Sequence, residues 1–186
     1  LIGYGGIARS HAQGWRDLGL HYALPADSVR VIGVATRRQD SAKTAAAELG
    51  CAIATTDAAS LIQRDDVDVV DICAPTAAHL EYVRLSAAAG KHVYLEKPVA
   101  ASLADARVMA AAVTGSGVTC QVNFNYRWLP AAQRMRTQLG LAPLPSPATP
   151  LPAQSFGLRA TTPPVSSKNI SARMNAYSFD RYGLLS

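Results

Sequence analysis

Two short segments near the start of the chain carry residue types suited to phosphate. Gly3-Tyr4-Gly5-Gly6-Ile7-Ala8 fits G-x-G-x-x-A, directly after the apolar pair Leu1-Ile2 and before a helix-compatible stretch to about Leu18. In this pattern the first glycine permits a tight turn and the second lets a pyrophosphate approach the backbone. A small third residue lets helix and strand pack closely. The phosphates then lie on the positive N-terminal end of the helix. A glycine-rich turn with no ligand is the alternative. The second segment, Thr36-Arg37-Arg38, follows a β-branched run. An acid at such a strand end would bond both hydroxyls of an NAD ribose and repel a 2′-phosphate. A hydroxyl and two guanidiniums suit that phosphate instead, because arginine binds oxyanions through a planar fork. NADP is therefore favoured, with NAD possible; the alternative is a solvated pair of arginines on the surface. Thr36 lies 33 residues after Gly3, beyond the ~20 usual for the fingerprint. A loop around residues 21–27 accounts for the excess.

These residues need elements to hold them, and the first 140 residues supply strand-like and helix-like segments in alternation. After the strand ending at Leu1-Ile2 and the helix over about 6–18, strands are expected at 29–35, 52–54, 67–73, 92–95 and 118–122. Helices are expected at about 40–49, after Asp57, at 77–89, 102–114 and 130–139. Gly50 and Gly90 sit where helix-ending glycines belong, since glycine reaches the left-handed region without a Cβ clash. Asp57 can cap a helix start, Ser102 through Asp105 has capping-box spacing, and Pro130 suits a first turn. Strands that are apolar throughout, separated by helices of about ten residues, imply a parallel sheet covered on both faces. The expected fold is thus α/β, a doubly wound parallel sheet spanning residues 1–140.

After Gly140 the character changes. Residues 141–186 hold seven of the eleven prolines and seven serines. The run over 141–152 cannot form a helix, because proline removes donors and restricts its predecessor. A disordered or irregular tail, without a second domain, is expected there.

Composition narrows the function classes. The chain has 186 residues, 49% hydrophobic and 17% charged, which is globular composition. No apolar run approaches the ~20 residues of a membrane span. The net charge of +5 divides into +2 over 1–140 and +3 over 141–186. No dense basic run with interleaved aromatics occurs, so nucleic acid is not expected as a partner. Cys51, Cys73 and Cys120 are odd in number and lack Cys-x-x-Cys spacing. They read as reduced thiols of a cytoplasmic protein, with neither a disulfide framework nor a metal site.

Three further segments add to the glycine turn: Asp71-Ile-Cys-Ala-Pro-Thr-Ala-Ala-His79, Gly90-Lys-His-Val-Tyr-Leu-Glu-Lys-Pro98 and Asn123-Phe-Asn-Tyr-Arg-Trp-Leu-Pro130. In order and spacing the four resemble the N-terminal, Rossmann-type domain of the glucose–fructose oxidoreductase/inositol dehydrogenase (Gfo/Idh/MocA) family. Glu96-Lys97-Pro98 after an apolar strand is the most specific of them. The resemblance implies a nucleotide-binding oxidoreductase acting on sugars, polyols or related alcohols. By the same resemblance Ala74, Pro75 and Thr76 form a loop beneath the cofactor, and His79 opens the next helix. Glu96 and Lys97 lie near the nicotinamide, with the lysine ammonium reaching the substrate's reacting oxygen. A cation there stabilises a developing alkoxide. Arg127 lies close to bound cofactor. Taken singly, His79 could instead cap its helix, Lys97 could be a surface lysine, and Arg127 could tie the last strand to the domain. Cys73, Cys120 and Met109 are expected in the core.

The chain also departs from the family. Family members continue into a second α/β domain that usually contributes an Asp-x-x-x-His pair. Here no histidine follows His92, and Asp180 is the sole acid after Asp105. A truncated, spliced or frame-disrupted copy, inactive alone, is expected. Three readings stay open: the cofactor domain of an NADP-dependent oxidoreductase, a non-catalytic nucleotide- or partner-binding protein, and a non-functional fragment. Substrate and oligomeric state are not legible.

Overall fold

Glycine and small residues between apolar strands let this chain stack its helices closely against a parallel sheet. The computed structural model describes residues 1–21 and 28–141. Of the loop expected around residues 21–27, His21 instead ends the first helix, and 22–27 lie outside the described residues, as does the tail expected over 141–186 beyond Leu141. The elements run α1 (Gly6–His21), β1 (Gly33–Ala35), α2 (Gln39–Leu49), β2 (Ile53–Thr55), α3 (Ala58–Ile62) and β3 (Val69–Ile72). Then follow α4 (His79–Ala88), β4 (His92–Leu95), α5 (Leu103–Ser116), β5 (Cys120–Val122) and α6 (Pro130–Gln138). Short 3-10 turns at Thr76–Ala78 and Asn125–Trp128 precede α4 and α6.

All strand pairs are parallel. One group is β2–β1 and the other β3–β4–β5. Ile2 joins them by bridging Ala35 on one side and Ile72 on the other. The order across the sheet is therefore β2, β1, Ile2, β3, β4, β5. From the centre the chain winds outward one way and then returns to wind the other way. That reversal is the doubly wound arrangement, and it opens a crevice at the carboxyl ends of the central strands.

The alternation of strand side chains explains why the strands are apolar throughout. In β4, Val93 and Leu95 enter a core with Ile72, Val83, Met109 and Val113, while Tyr94 joins Trp15 and Leu18 in a separate cluster. Both faces are covered. Val34, Ala45 and Ala46 make a third cluster. Met109 is in the core, Cys120 is partly buried at its border, and Cys73 is partly buried beside Asp71. No helix among the described residues is long and apolar enough to cross a membrane.

The expected punctuation is present. Gly50 closes α2 at φ 67°, the Asp57 carboxylate accepts from Ser60 N at 3.0 Å, and Ser102 Oγ accepts from Asp105 N at 3.1 Å. β4 has the expected bounds and β2 is displaced by one residue, whereas β1, β3 and β5 are shorter than expected. A β-branched run favours extended backbone over residues 29–35, but β1 forms only where Leu1-Ile2 and β2 give it hydrogen-bonding neighbours. Likewise the helix expected at 77–89 opens as a 3-10 turn before becoming α4 at His79.

Candidate functional site

Consecutive strand ends along the crevice carry the nominated residues. Gly3 follows Ile2, Thr36 follows β1, Ala74 lies two residues past β3, and Glu96 follows β4. Gly3 is fixed there by its N–H to Ala35 O at 2.8 Å and has φ 85°. A Cβ at this position would lie 2.9 Å from Ala74 N and from the Cys73 carbonyl carbon and oxygen. Only glycine admits this contact, which brings the 3–6 loop against the 73–76 loop.

Gly5 and Gly6 differ, for a Cβ on either would meet nothing within 4 Å. They are exposed at the open N-terminal end of α1. Ala8, one turn on, is fully buried, so the helix lies close to the sheet. Bare backbone at an unobstructed helix N-terminus is the cradle that a diphosphate requires, and the fit to a dinucleotide is good. Tyr4 lies across toward α2: its hydroxyl donates to Glu48 at 2.9 Å, and the Arg9 guanidinium sits 5.1 Å from its ring centroid. Arg9 also bonds Glu48 at 3.2 and 3.3 Å. Ile7 is half-exposed beside the helix start.

At the end of β1, Thr36 Oγ1 donates to Arg38 O at 2.8 Å and turns the chain into α2. The Arg38 guanidinium donates to Ser41 Oγ at 3.2 and 3.3 Å. Arg37 is exposed beside it. Asp40, in the first turn of α2, is the competing negative charge.

The remaining candidates lie along β3, β4 and β5. Pro75 is exposed and Thr76 half-buried at the crevice. His79 is buried behind that loop, its Nε2 3.0 Å from Ala74 O and its Nδ1 3.1 Å from Val99 O. Its place is thus a strut under Ala74 rather than a helix cap. Lys97 is exposed, while Glu96 is buried and accepts from Lys97 N at 3.0 Å. Arg127 lies in the turn after β5, where Gln133 Nε2 donates to its carbonyl at 2.8 Å.

The structure adds a residue missing from the sequence-derived set. His11, on α1, is 2% exposed and spans two carboxylates. Its Nδ1 is 3.0 Å from Asp71 Oδ1, and its Nε2 is 3.1 Å from Glu96 Oε1. Trp15 Nε1 donates to Asp71 Oδ2 at 2.7 Å, and Asn123 Nδ2 donates to Glu96 Oε1 at 2.5 Å. Burial opposes a charge on His11, but the Asp71 and Glu96 carboxylates overcome it and hold the ring as an imidazolium. Burial likewise opposes ionisation of Asp71 and Glu96, yet His11 and the surrounding donors keep both below their ordinary range. Cys73, 3.2 Å from His11 Nδ1, is pushed up to about 12 by burial and by Asp71, so it is a thiol. His11, Asp71 and Cys73 bring metal-ligating atoms within 4.8 Å of one another. These atoms are turned on each other as hydrogen-bond partners, which satisfies the cluster with protons.

Similarity to known proteins agrees with this geometry. The model of an oxidoreductase family with an NAD-binding Rossmann fold (GFO_IDH_MocA) matches residues 1–124. D-apiose dehydrogenase of Paraburkholderia graminis is 34% identical over 133 residues, 72% of this chain and 33% of that protein. Levoglucosan dehydrogenase of Pseudarthrobacter phenanthrenivorans is 34% identical over 132 residues, 70% of this chain and 34% of that protein. A solved levoglucosan dehydrogenase, in complex with NADH and levoglucosan, superposes with TM-score 0.67 at 31% identity, covering 75% of this chain and 38% of that one. The chain thus spans about a third of the length of the relatives it matches. With a family model over two thirds of its residues and a dinucleotide cradle at the switch point of its sheet, the chain belongs to the Gfo/Idh/MocA oxidoreductases, as their NAD-binding Rossmann domain.

Proposed function

We propose that residues 1–140 are the nucleotide-binding domain of an NADP-preferring oxidoreductase that acts on the CH–OH group of a sugar, polyol or related alcohol. The single observation that carries the cofactor preference is the end of β1, where Thr36, Arg37 and Arg38 stand and a ribose-binding acid does not. Arg37 and Arg38 outnumber Asp40, and Ser41 holds the Arg38 guanidinium in place. This favours a 2′-phosphate, which arginine pairs through two parallel hydrogen bonds. The NADH bound to levoglucosan dehydrogenase belongs to that relative; the Thr36–Arg38 chemistry sets this chain apart from a ribose-hydroxyl reader.

In this scheme Gly3, Tyr4, Gly5, Gly6, Ile7 and Ala8 hold the diphosphate at the start of α1. Ala74, Pro75 and Thr76 floor the crevice with His79 behind them, and Glu96, Lys97 and Arg127 lie at its nicotinamide end. The cofactor supplies a hydride acceptor. Lys97 brings an ammonium to the reacting oxygen, where it stabilises alkoxide charge. The sugar-related substrates of the relatives support a polyhydroxylated substrate class.

The test is calorimetric titration of the purified chain with NADP⁺ and NAD⁺ side by side. Tighter binding of NADP⁺ supports the proposal, and equal or tighter binding of NAD⁺ removes the role given to Arg37 and Arg38.

A further inference from the structure

Glu96 is buried, yet its neighbour Lys97 is exposed, so something must hold the chain at this abrupt change of environment. The two carboxylate oxygens divide the work. Oε2 accepts from the Lys97 backbone N–H at 3.0 Å. Oε1 faces the interior, where Asn123 Nδ2 lies at 2.5 Å and His11 Nε2 at 3.1 Å. His11 is in turn fixed from its other side by Asp71, at 3.0 and 3.2 Å from its Nδ1. Its ring also packs 5.2 Å from that of Tyr94, on the strand leading to Glu96.

We propose that His11 is the positioning residue for Lys97: through Glu96 it anchors the backbone of the lysine turn to α1, the helix whose N-terminus receives the dinucleotide phosphates. The proposal rests on the role given above to Lys97. His11 touches neither cofactor nor substrate, being enclosed between α1 and the sheet. Its two ring nitrogens do separate jobs. Nδ1 secures the ring to β3 through Asp71, and Nε2, which also has Asn123 Nδ2 at 3.1 Å, delivers that fixed point to Glu96. A hydrogen bond between charged partners in a buried site is stronger than a neutral one and tolerates little displacement. Phosphate binding and lysine placement therefore share one rigid body, and a distortion of α1 reaches Lys97 through two hydrogen bonds.

The division of labour makes the role separable from stability. In H11N the amide nitrogen stands near the place of Nδ1, preserving the Asp71 contact and losing Glu96. In H11Q it stands near the place of Nε2 and preserves the Glu96 contact. Both lose the imidazolium and both lower Tm. Amide hydrogen exchange followed by NMR on the nucleotide-free chain reads the Lys97 N–H, with Val93 N–H as a core reference. H11N is expected to accelerate Lys97 exchange about tenfold beyond any change at Val93, as expected for loosening a charge-assisted bond. H11Q is expected to restore Lys97 protection to near the wild-type ratio. Equal behaviour of Lys97 in the two variants, or wild-type protection in H11N, overturns the proposal.

If neither variant folds, nitrogen-15 spectra of the wild-type ring decide. A proton on Nε2 with a scalar coupling across to Glu96 supports the link, and an unprotonated Nε2 overturns it. No nucleotide enters these measurements. A wild-type chain that binds neither NADP⁺ nor NAD⁺ in parallel titrations would defeat the functional reading while leaving the exchange result to stand for itself.

Discussion

Arg37 and His11 mark the two ends of what individual residues do here. Arg37 is exposed at the end of β1, so its removal should leave the fold intact and act on the ligand. R37A should weaken NADP⁺ more than NAD⁺ by about 1–3 kcal/mol, the worth of a well-formed charge-assisted contact, in the side-by-side titration. Equal losses for both cofactors would sink the assignment. His11 acts on stability instead. Its folded-state pKa is raised, so its contribution is complete below about pH 6.5 and declines above that value, by up to about 1.4 kcal/mol per pH unit. Asp71 and Glu96 are depressed, so theirs is present above about pH 4 and lost on further acidification. Urea midpoints of the wild type should therefore fall between pH 6.5 and 8.5 more steeply than those of H11Q, whose subtraction cancels other titrating groups. Parallel curves would mean that His11 is neutral. The positions of the glycine turn at the start of α1 and of Arg37 and Arg38 at the end of β1 were legible in the sequence, because local spacing defines them. His11 was not, because its partners lie 60 and 85 residues away. A signal did exist: Ala8, His11, Ala12, Trp15 and Leu18 repeat at helical spacing and are all buried, and Asp71 interrupts an apolar strand. A histidine and an acid on two buried faces each need a counter-charge, and each could have nominated the other.

Elements show a different balance between local and distant causes. Helix boundaries were legible because caps are local: Asp57, Ser102, Gly50 and Pro130 do what their side chains or missing Cβ dictate. The lengths of β1, β3 and β5 were not, because a strand exists only as far as its neighbours accompany it. The run over 29–35 illustrates this, with β1 confined to the three residues facing both Leu1-Ile2 and β2. S102A should accordingly cost about 1 kcal/mol in urea unfolding, the usual value of an N-cap. The glycine turn allows a sharper comparison. G3A forces a Cβ to 2.9 Å from the backbone of Cys73 and Ala74 at φ 85° and should cost about 2–4 kcal/mol. G5A places its methyl in open space and should change stability by no more than about 0.5 kcal/mol. That methyl lies where the phosphates approach, so G5A should weaken both cofactors alike. A G5A protein that binds normally would move the diphosphate away from this loop.

At the scale of the whole molecule the question is whether one Rossmann unit can do the chemistry its family name implies. Hydride transfer needs the substrate carbon held against the nicotinamide, and a group to take the hydroxyl proton. Positioning is worth up to about 7–11 kcal/mol in favourable cases, and general-base assistance about 10²–10⁴-fold. In the proposed scheme Lys97 would supply charge stabilisation, but it brings neither a substrate pocket nor an acceptor. The four histidines are His11, His21, His79 and His92. His11 is held charged between Asp71 and Glu96, and His79 is buried against two backbone carbonyls. His92 is buried at the opening residue of β4, with Nδ1 accepting from Thr119 N, at the end of the sheet away from the crevice. His21 closes α1, at the far end of that helix from the glycine turn. Among the described side chains, His11, His79 and His92 are thus engaged away from an alcohol beside Lys97. The buried carboxylates are spent on His11 as well. The 186-residue polypeptide should therefore bind NADP⁺ yet fail to reduce it at an enzyme-like rate with any of a panel of sugars and polyols, followed by absorbance of the reduced cofactor. Robust turnover that vanishes in K97A would show a working proton acceptor and substrate pocket within this chain. Turnover that survives K97A would instead remove Lys97 from the chemistry and with it the reason for anchoring its turn to α1.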